Sequence, residues 1–320
     1  MSAYKILITQ KIPDIAFQML QSKGYAIIAP TDENPFSPEQ IRKEIATIDG
    51  IIPLLSDTID RSLLINAENL KVIANYAVGY NNIDIEYARQ KGIIVTNTPD
   101  ILTNATADLA FALLLSVAKR IVEADQFVRD GRFKGWGPLL MLGAEVTGKT
   151  LGIIGAGRIG QAVGRRAAGF EMNILYTSHS LKADFEADTG AKKTDLNTLL
   201  ARSDYISVHC PLTDETHHMI NRQNMPLIKK GAFLINTSRG PVIEEAALTE
   251  FLKNGHLSGA GLDVYEFEPQ ISPELLALKN VVLLPHIGSA TLETRSKMAE
   301  LAAKNIISVL ETGKALTAVN

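Results

Sequence analysis

The stretch Leu151-Gly-Ile-Ile-Gly155-Ala-Gly157-Arg-Ile-Gly160, continued by Gln161-Ala-Val-Gly-Arg-Arg-Ala-Ala168, decides the reading of this chain. A short apolar run enters G-x-G-x-x-G, and a helix-compatible segment leaves it. Gly155 suits the tight turn after a strand, and Gly157 suits a backbone that must approach a pyrophosphate. Gly160 lets the helix pack close to the strand, while the helix N-terminus supplies free N–H groups and a partial positive charge. For the bare hexad, a glycine-rich turn in an unrelated α/β domain is the plain alternative. The flanking strand and helix, with further strands on schedule, favour dinucleotide binding.

Working outward, apolar runs recur at 151–154, 174–176, 205–209, 232–236, 259–262 and 281–284, in a β/α alternation. The first hundred residues alternate in the same way. Strands are expected at 6–8, 26–28, 51–55, 72–75 and 93–96, and helices at 13–23, 59–66 and 83–90, with another starting at Ser37-Pro38. Ser at the cap and Pro at the first helical position make that start explicit. Such alternation implies parallel sheets with helical crossovers. Residues 103–129 contain neither Gly nor Pro and carry Leu109, Leu113 and Val117 at i, i+4 spacing. They are expected as one long helix, a strut joining two lobes. A loop, Gly131-Arg-Phe-Lys-Gly-Trp-Gly137-Pro138, follows, and a last helix is expected over 293–310.

The chain of 320 residues suits two domains at the usual ~100–200 residues each. With 46% hydrophobic and 21% charged residues it has globular composition. A net charge of −3 speaks against nucleic acid or an anionic membrane as the main partner. The lone Cys210 excludes an intrachain disulfide and fits a reducing compartment. Met1-Ser-Ala-Tyr-Lys-Ile-Leu-Ile-Thr lacks a secretory apolar region, and Leu109 to Ala118 falls short of the ~20 residues that span a bilayer. A cytoplasmic protein is expected.

The usual acidic ribose ligand is missing. The strand after the glycine loop, Asn173-Ile-Leu-Tyr-Thr177, runs into Ser178-His179-Ser180-Leu181-Lys182, with no carboxylate at its end. Hydroxyls, an imidazole and a lysine suit a 2′-phosphate, so NADP(H) is the expected cofactor and NAD(H) the alternative. Three more motifs sit at the carboxyl ends of expected strands, where open α/β sheets bind ligands. These are Asn236-Thr237-Ser238-Arg239-Gly240, Leu262-Asp263-Val-Tyr-Glu266-Phe-Glu268-Pro269 and Pro285-His286-Ile-Gly288-Ser289-Ala. Singly, each is explained as a surface charge, a loop acid or a capping histidine. Their co-occurrence behind a dinucleotide loop is what counts.

With those motifs, and with Asn75-Tyr-Ala-Val78-Gly79-Tyr-Asn-Asn-Ile-Asp84 and Leu102-Thr-Asn-Ala-Thr106-Ala-Asp108, nearly the whole chain resembles the D-isomer-specific 2-hydroxyacid dehydrogenases. The likeness is greatest to glyoxylate/hydroxypyruvate reductases. The resemblance implies two Rossmann-like doubly wound parallel-sheet domains, the dinucleotide domain (101–287) inserted into a substrate domain formed by 1–100 and 288–320. It places catalytic roles on Arg239, Glu268 and His286. It implies cofactor contacts at Gly155, Gly157, Arg158, Ile159, Gly160, Ser178, His179, Ser180, Thr106, Cys210, Pro211, Thr237, Ser238 and Gly288. Asp263 falls to the nicotinamide carboxamide, and Val78 and Gly79 to the substrate carboxylate. Leu54 and Trp136 are candidates for the pocket wall or for simple packing. A homodimer built around the 103–129 region is also implied.

The chemistry agrees. A guanidinium fork can hold the carboxylate and carbonyl of a 2-oxo acid in one plane. Hydride arrival at the carbonyl carbon leaves charge on oxygen, which needs a proton from a group titrating near neutrality, such as His286. A neighbouring Glu268 favours the protonated imidazole and orients it. Cys210 is not expected as a nucleophile, and adjacent His217 and His218 lack further ligands at metal spacing. Short phosphoglycerate or 2-ketogluconate dehydrogenases remain alternatives, since the chain ends about 30 residues after Ser289, too few for a regulatory domain. A nucleotide-sensing corepressor of the same fold is a further alternative, and a methyltransferase is disfavoured by the Arg/Glu/His set.

Overall fold

The computed structural model describes residues 4–32 and 34–320; Met1 to Ala3, part of the amino-terminal stretch read above, lie outside the described residues. The chain divides into two compact units, Met1–Leu102 with Ser289–Asn320, and Thr103–Gly288.

In the first unit, β1 (Lys5–Ile8), β2 (Ala26–Ile28), β3 (Gly50–Ile52), β4 (Val72–Ala74) and β5 (Ile94–Thr96) form a parallel sheet of order β2-β1-β3-β4-β5. Successive residues of each strand face opposite ways, so each face receives its own helices. Ile6, Ile8, Ile52 and Val72 pack with α1 (Ile15–Ser22) and the C-terminal helix Leu292–Thr312. Leu7, Ile51, Ile73 and Val95 pack with α2 (Pro38–Glu44), α3 (Arg61–Leu64) and α4 (Ile85–Gln90). Side-chain caps start four of these helices: Ser37, with Gln40 completing a capping box, Asp60, Asp84 and, for the C-terminal helix, Thr291. β3 stops short of its expected end because Pro53 has no N–H to give the ladder.

The second unit opens with α5 (Thr103–Ala118) and α6 (Ile121–Arg129). Residues 103–129 are therefore two helices and not one strut, and both lie in this unit. Arg120 sits between them at φ 55, its guanidinium on Glu123 at 2.9 and 2.7 Å. The cause is tertiary: the Ala118 carbonyl is taken by the Ala144 N–H at 2.8 Å, with Gly143 against it, so it is not available to continue the helix. α5 buries eight of its sixteen residues within its own unit, whereas α6 buries none.

The strands are β6 (Thr150–Ile154), β7 (Asn173–Thr177), β8 (Lys192–Lys193), β9 (Tyr205–Val208), β10 (Phe233–Asn236), β11 (Gly259–Leu262) and β12 (Val281–Leu283). All are parallel, in the order β12-β11-β10-β9-β6-β7-β8. β8 was not expected, because two exposed lysines carry no apolar signal; it is a protected-by-charge edge strand. Alternate side chains again serve two faces. Leu151, Ile153, Phe233 and Ile235 join α5 and α7 (Arg158–Ala168). Ile154, Ile206, Leu234 and Leu262 join α9 (Leu196–Arg202) and α10 (Glu245–Lys253), with α8 (Ala183–Thr189) between β7 and β8. Both sheets are thus doubly wound α/β layers. Strand order reverses between β6 and β9, and that switch point is where such sheets receive ligands. Among the described residues no helix is long and apolar enough to cross a membrane.

Candidate active site

The glycine loop joins β6 to α7 at the switch point. Gly155 takes φ 94, and a Cβ there would lie 2.5 Å from the Cys210 nitrogen, so the turn presses on the end of β9. A Cβ on Gly160 would stand 2.2 Å from the Gly155 carbonyl oxygen, which is what seats α7 against β6. Gly157 is different: a Cβ there meets nothing within 4 Å, and as N-cap it offers no side chain to the helix amides. An open, uncapped N-terminus is the cradle a pyrophosphate requires. Arg158 is exposed at its mouth and Ile159 partly buried. The buried Thr237 hydroxyl, at the end of β10, finds no partner among the described residues. A buried orphan hydroxyl and an open helix end fit a bound dinucleotide.

At the end of β7 the Ser178 hydroxyl donates to the Ser180 carbonyl at 2.6 Å, and Lys182 Nζ donates to the Ser180 hydroxyl at 2.8 Å. Lys193, from the unexpected strand β8, donates to the His179 carbonyl at 3.1 Å. It escaped the sequence reading because only sheet pairing brings it beside residues 14 positions away. Its one signal was the Lys192-Lys193 doublet.

At the end of β9 Cys210 is buried, and burial pushes its thiol up to about 11, which suits packing and not nucleophilic attack. The next residue, Pro211, accepts from the Thr216 hydroxyl at 2.6 Å. Thr106 of α5 donates to the Gly288 carbonyl at 3.0 Å, so these two expected cofactor contacts are brought together.

Three strand ends then converge their chemistry. After β10, Asn236 braces the Arg239 loop: its side chain donates to the Arg239 carbonyl at 3.0 Å and accepts the Ser238 N–H and hydroxyl at 3.0 and 2.9 Å. The Arg239 guanidinium donates to the Ser238 carbonyl at 2.7 Å. Burial pulls its pKa below the usual guanidinium value, opposed by the charge of Glu268. After β12, His286 sits at φ 55, a left-handed position that few side chains tolerate. Asp263, after β11, holds that turn by accepting the Ile287 and Gly288 N–H groups at 2.7 and 2.8 Å. Burial raises the Asp263 carboxyl above its ordinary range, against the pull of those amides and His286.

His286 Nδ1 lies 2.8 Å from Glu268 Oε2. Burial works to raise the Glu268 pKa, but the hydrogen bond and charge of His286, the Tyr265 N–H at 2.9 Å and Arg239 together bring it below its ordinary value. Glu268 is therefore a carboxylate at neutral pH. It leaves Nε2 of His286 as the ring nitrogen able to exchange a proton with a ligand.

Of the other expected positions, Trp136 is 86% exposed. Leu54 packs partly buried against the core of the first unit. The carbonyls of Val78 and Gly79 accept from the side-chain amides of Asn97 and Asn75 at 2.8 and 2.7 Å. His218 pairs with Glu266 at 2.7 Å. Among the described residues no group of three or more His, Cys, Asp or Glu is placed to hold a metal.

A model of the D-isomer specific 2-hydroxyacid dehydrogenase NAD binding domain matches residues 111–288, more than half of the chain. The chain is 53% identical over 307 residues to a glyoxylate reductase of Thermococcus litoralis, covering 95% of this chain and 92% of that protein. A solved glyoxylate reductase from Paecilomyes thermophila is 33% identical with a TM-score of 0.88, covering 100% of this chain and 99% of that one. An NADPH-dependent glyoxylate/hydroxypyruvate reductase from Sinorhizobium meliloti, solved with NADP and malonate, gives a TM-score of 0.89 at 33% identity, covering 99% and 97%.

A dinucleotide cradle with titratable groups at the neighbouring strand ends is the frame of a nicotinamide-dependent oxidoreductase. The chain belongs to the D-isomer-specific 2-hydroxyacid dehydrogenase family.

Proposed function

We propose that this enzyme reduces glyoxylate, hydroxypyruvate and 2-oxo acids of similar size to D-2-hydroxy acids, with NADPH as donor. The observation that carries the reading is the His286–Glu268 contact of 2.8 Å in the unit that also holds Arg239 and the glycine loop. A bound dihydronicotinamide supplies the hydride. The protein's residues do the rest. Arg239 holds the substrate carboxylate and carbonyl with its fork. His286 gives the Nε2 proton to the carbonyl oxygen as charge builds there, and takes it back in oxidation. Glu268 accepts from Nδ1, which fixes the ring and stabilises the imidazolium. Asp263 keeps His286 in its unusual backbone position and faces the carboxamide. Leu54 is assigned to substrate contact. Val78 and Gly79, whose carbonyls are already braced, are assigned to receive the carboxylate with their N–H groups.

Initial rates over a panel of 2-oxo acids test this. Hydroxypyruvate is the diagnostic substrate, because its product has a stereocentre and glycolate has none. The D-product is expected; the L-product, or a clear preference for long-chain acids, would overturn the reading.

The preference for NADPH rests on Ser178, His179, Ser180, Lys182 and Lys193 at the end of β7, and the NADPH dependence of the Sinorhizobium meliloti relative supports it. Steady-state kinetics should give a higher kcat/KM with NADPH than with NADH. Lys193→Ala should lower the NADPH value by about tenfold, ~1.4 kcal/mol, and leave NADH nearly unaffected. A parent that prefers NADH contradicts the assignment.

We also propose a cytoplasmic homodimer. α6 and the following loop expose Val122, Val128, Phe133, Trp136, Leu139 and Leu142, each more than half exposed. That much exposed apolar surface within one short segment suits a partner of the same kind. Light scattering should report a dimer for the parent and a monomer for Val128→Glu combined with Trp136→Asp; a monomeric parent refutes the proposal.

A further inference from the structure

His218 lies beyond β9 at φ 49, in the left-handed region, and its position links two loops of the site. Its main-chain N–H donates to the Pro241 carbonyl at 2.8 Å, two residues past Arg239, and the Ile220 N–H continues the pairing to Val242 at 3.1 Å. Its imidazole reaches the other loop, with Nε2 at 2.7 Å from Oε1 of Glu266, two residues before Glu268. The Glu266 carboxylate accepts the Glu245 N–H at the start of α10 at 2.8 Å, and the Glu266 N–H donates back to the Glu245 carboxylate at 3.1 Å. Gly240 completes the contact. A Cβ there would lie 1.8 Å from the Tyr265 carbonyl oxygen, so the Arg239 loop rests directly on the main chain that leads to Glu268.

An exposed His–Glu pair would contribute little. This one is different, because the two side chains are only 32% and 11% exposed and the carboxylate also serves a helix N-terminus. Removing the imidazole leaves a buried carboxylate short of a partner, and the loop can answer only by shifting. We propose that His218, acting through Glu266, is a positioning residue that fixes the Arg239 loop relative to the Glu268–His286 pair. The proposal rests on the reductase reading above and adds to it a residue that touches neither substrate nor cofactor.

The test compares His218→Asn with His218→Gln in the full chain. Asn tolerates the left-handed backbone but is too short to reach Glu266, whereas the Gln amide N–H matches the reach of Nε2. His218→Asn should lower kcat at least about tenfold and raise KM for the 2-oxo acid, as expected when reacting groups are misplaced by a fraction of an ångström. The Kd for NADPH, set at the glycine loop, should not move. His218→Gln should restore kcat to within about threefold of the parent. Glu266→Gln approaches the pair from the other side and should show the same split between kcat and nucleotide binding, so the test survives if one variant does not fold. Parental kcat and KM in His218→Asn would overturn the proposal, and so would a Gln variant as impaired as Asn. Should the parent itself fail to reduce any 2-oxo acid, the functional reading falls separately. A crystal structure of His218→Asn, which needs no turnover, then decides the positioning role. The Arg239 loop should be displaced relative to Glu268 and His286 in His218→Asn and hold its place in His218→Gln; an unmoved loop in the Asn variant refutes it.

Discussion

His286→Asn is expected to slow 2-oxo acid reduction by about 10²–10⁴-fold at neutral pH, the range a positioned general acid contributes. The substitution isolates chemistry from folding. Asn is among the residues that tolerate the left-handed backbone at φ 55, and the Ile287 and Gly288 N–H groups keep their bonds to Asp263. The NADPH Kd should therefore be close to that of the parent. What disappears is the proton. The Asn amide cannot supply one to the carbonyl oxygen. Glu268 adds a second signature. Its folded-state pKa is depressed, so its contact with His286 contributes stability above the ordinary carboxyl value of ~4.5 and loses it as pH falls through the folded value. Well above that value Glu268 stays ionised, so rate differences measured near neutrality do not come from its protonation. A variant that turns over glyoxylate or hydroxypyruvate within a few-fold of the parent removes His286 from the mechanism.

Arg239→Gln should cost kcat/KM for the 2-oxo acid about 10²–10⁴-fold, because two charge-assisted hydrogen bonds at ~1.5–3 kcal/mol each are lost together. Burial makes the loss larger than at a surface site, since water cannot replace the guanidinium there. Arg239→Lys should recover only part of the rate. A point charge can attract the carboxylate but cannot hold carboxylate and carbonyl in one plane. The loop itself should survive both changes, since Asn236 braces it through the Arg239 carbonyl and the Ser238 N–H. Stopped-flow binding and steady-state rates separate the two effects. An Arg239→Lys enzyme with parental kcat and KM would mean that the substrate is anchored elsewhere.

Much of this molecule was legible before its fold was seen. The glycine loop is readable because its residues are adjacent and each glycine answers a local demand, positive φ at Gly155 and close packing at Gly160. Arg239, Asp263 and His286 could be found because each follows an apolar run and sits past the carboxyl end of its strand. The break at Arg120 could not be found. Nothing in residues 103–129 forbids a continuous helix; the interruption comes from a segment some 25 residues downstream that occupies the Ala118 carbonyl. Lys193 was hidden for a similar reason, since a two-residue charged strand has no periodicity to detect. His218 was read only as a metal ligand without companions, when its partner, Glu266, lies 48 residues away.

The sequence by itself determined the class of the fold, the dinucleotide loop and the identity of the strand-end groups, because these depend on spacing and on side-chain chemistry within a few residues. Tertiary structure decided which of those groups touch. The 2.8 Å contact of His286 with Glu268, the Asp263 clamp beneath it and the His218–Glu266 link all join residues 18 to 48 positions apart. Such pairings are set by the order in which parallel strands are laid side by side, and no local pattern in the chain records that order.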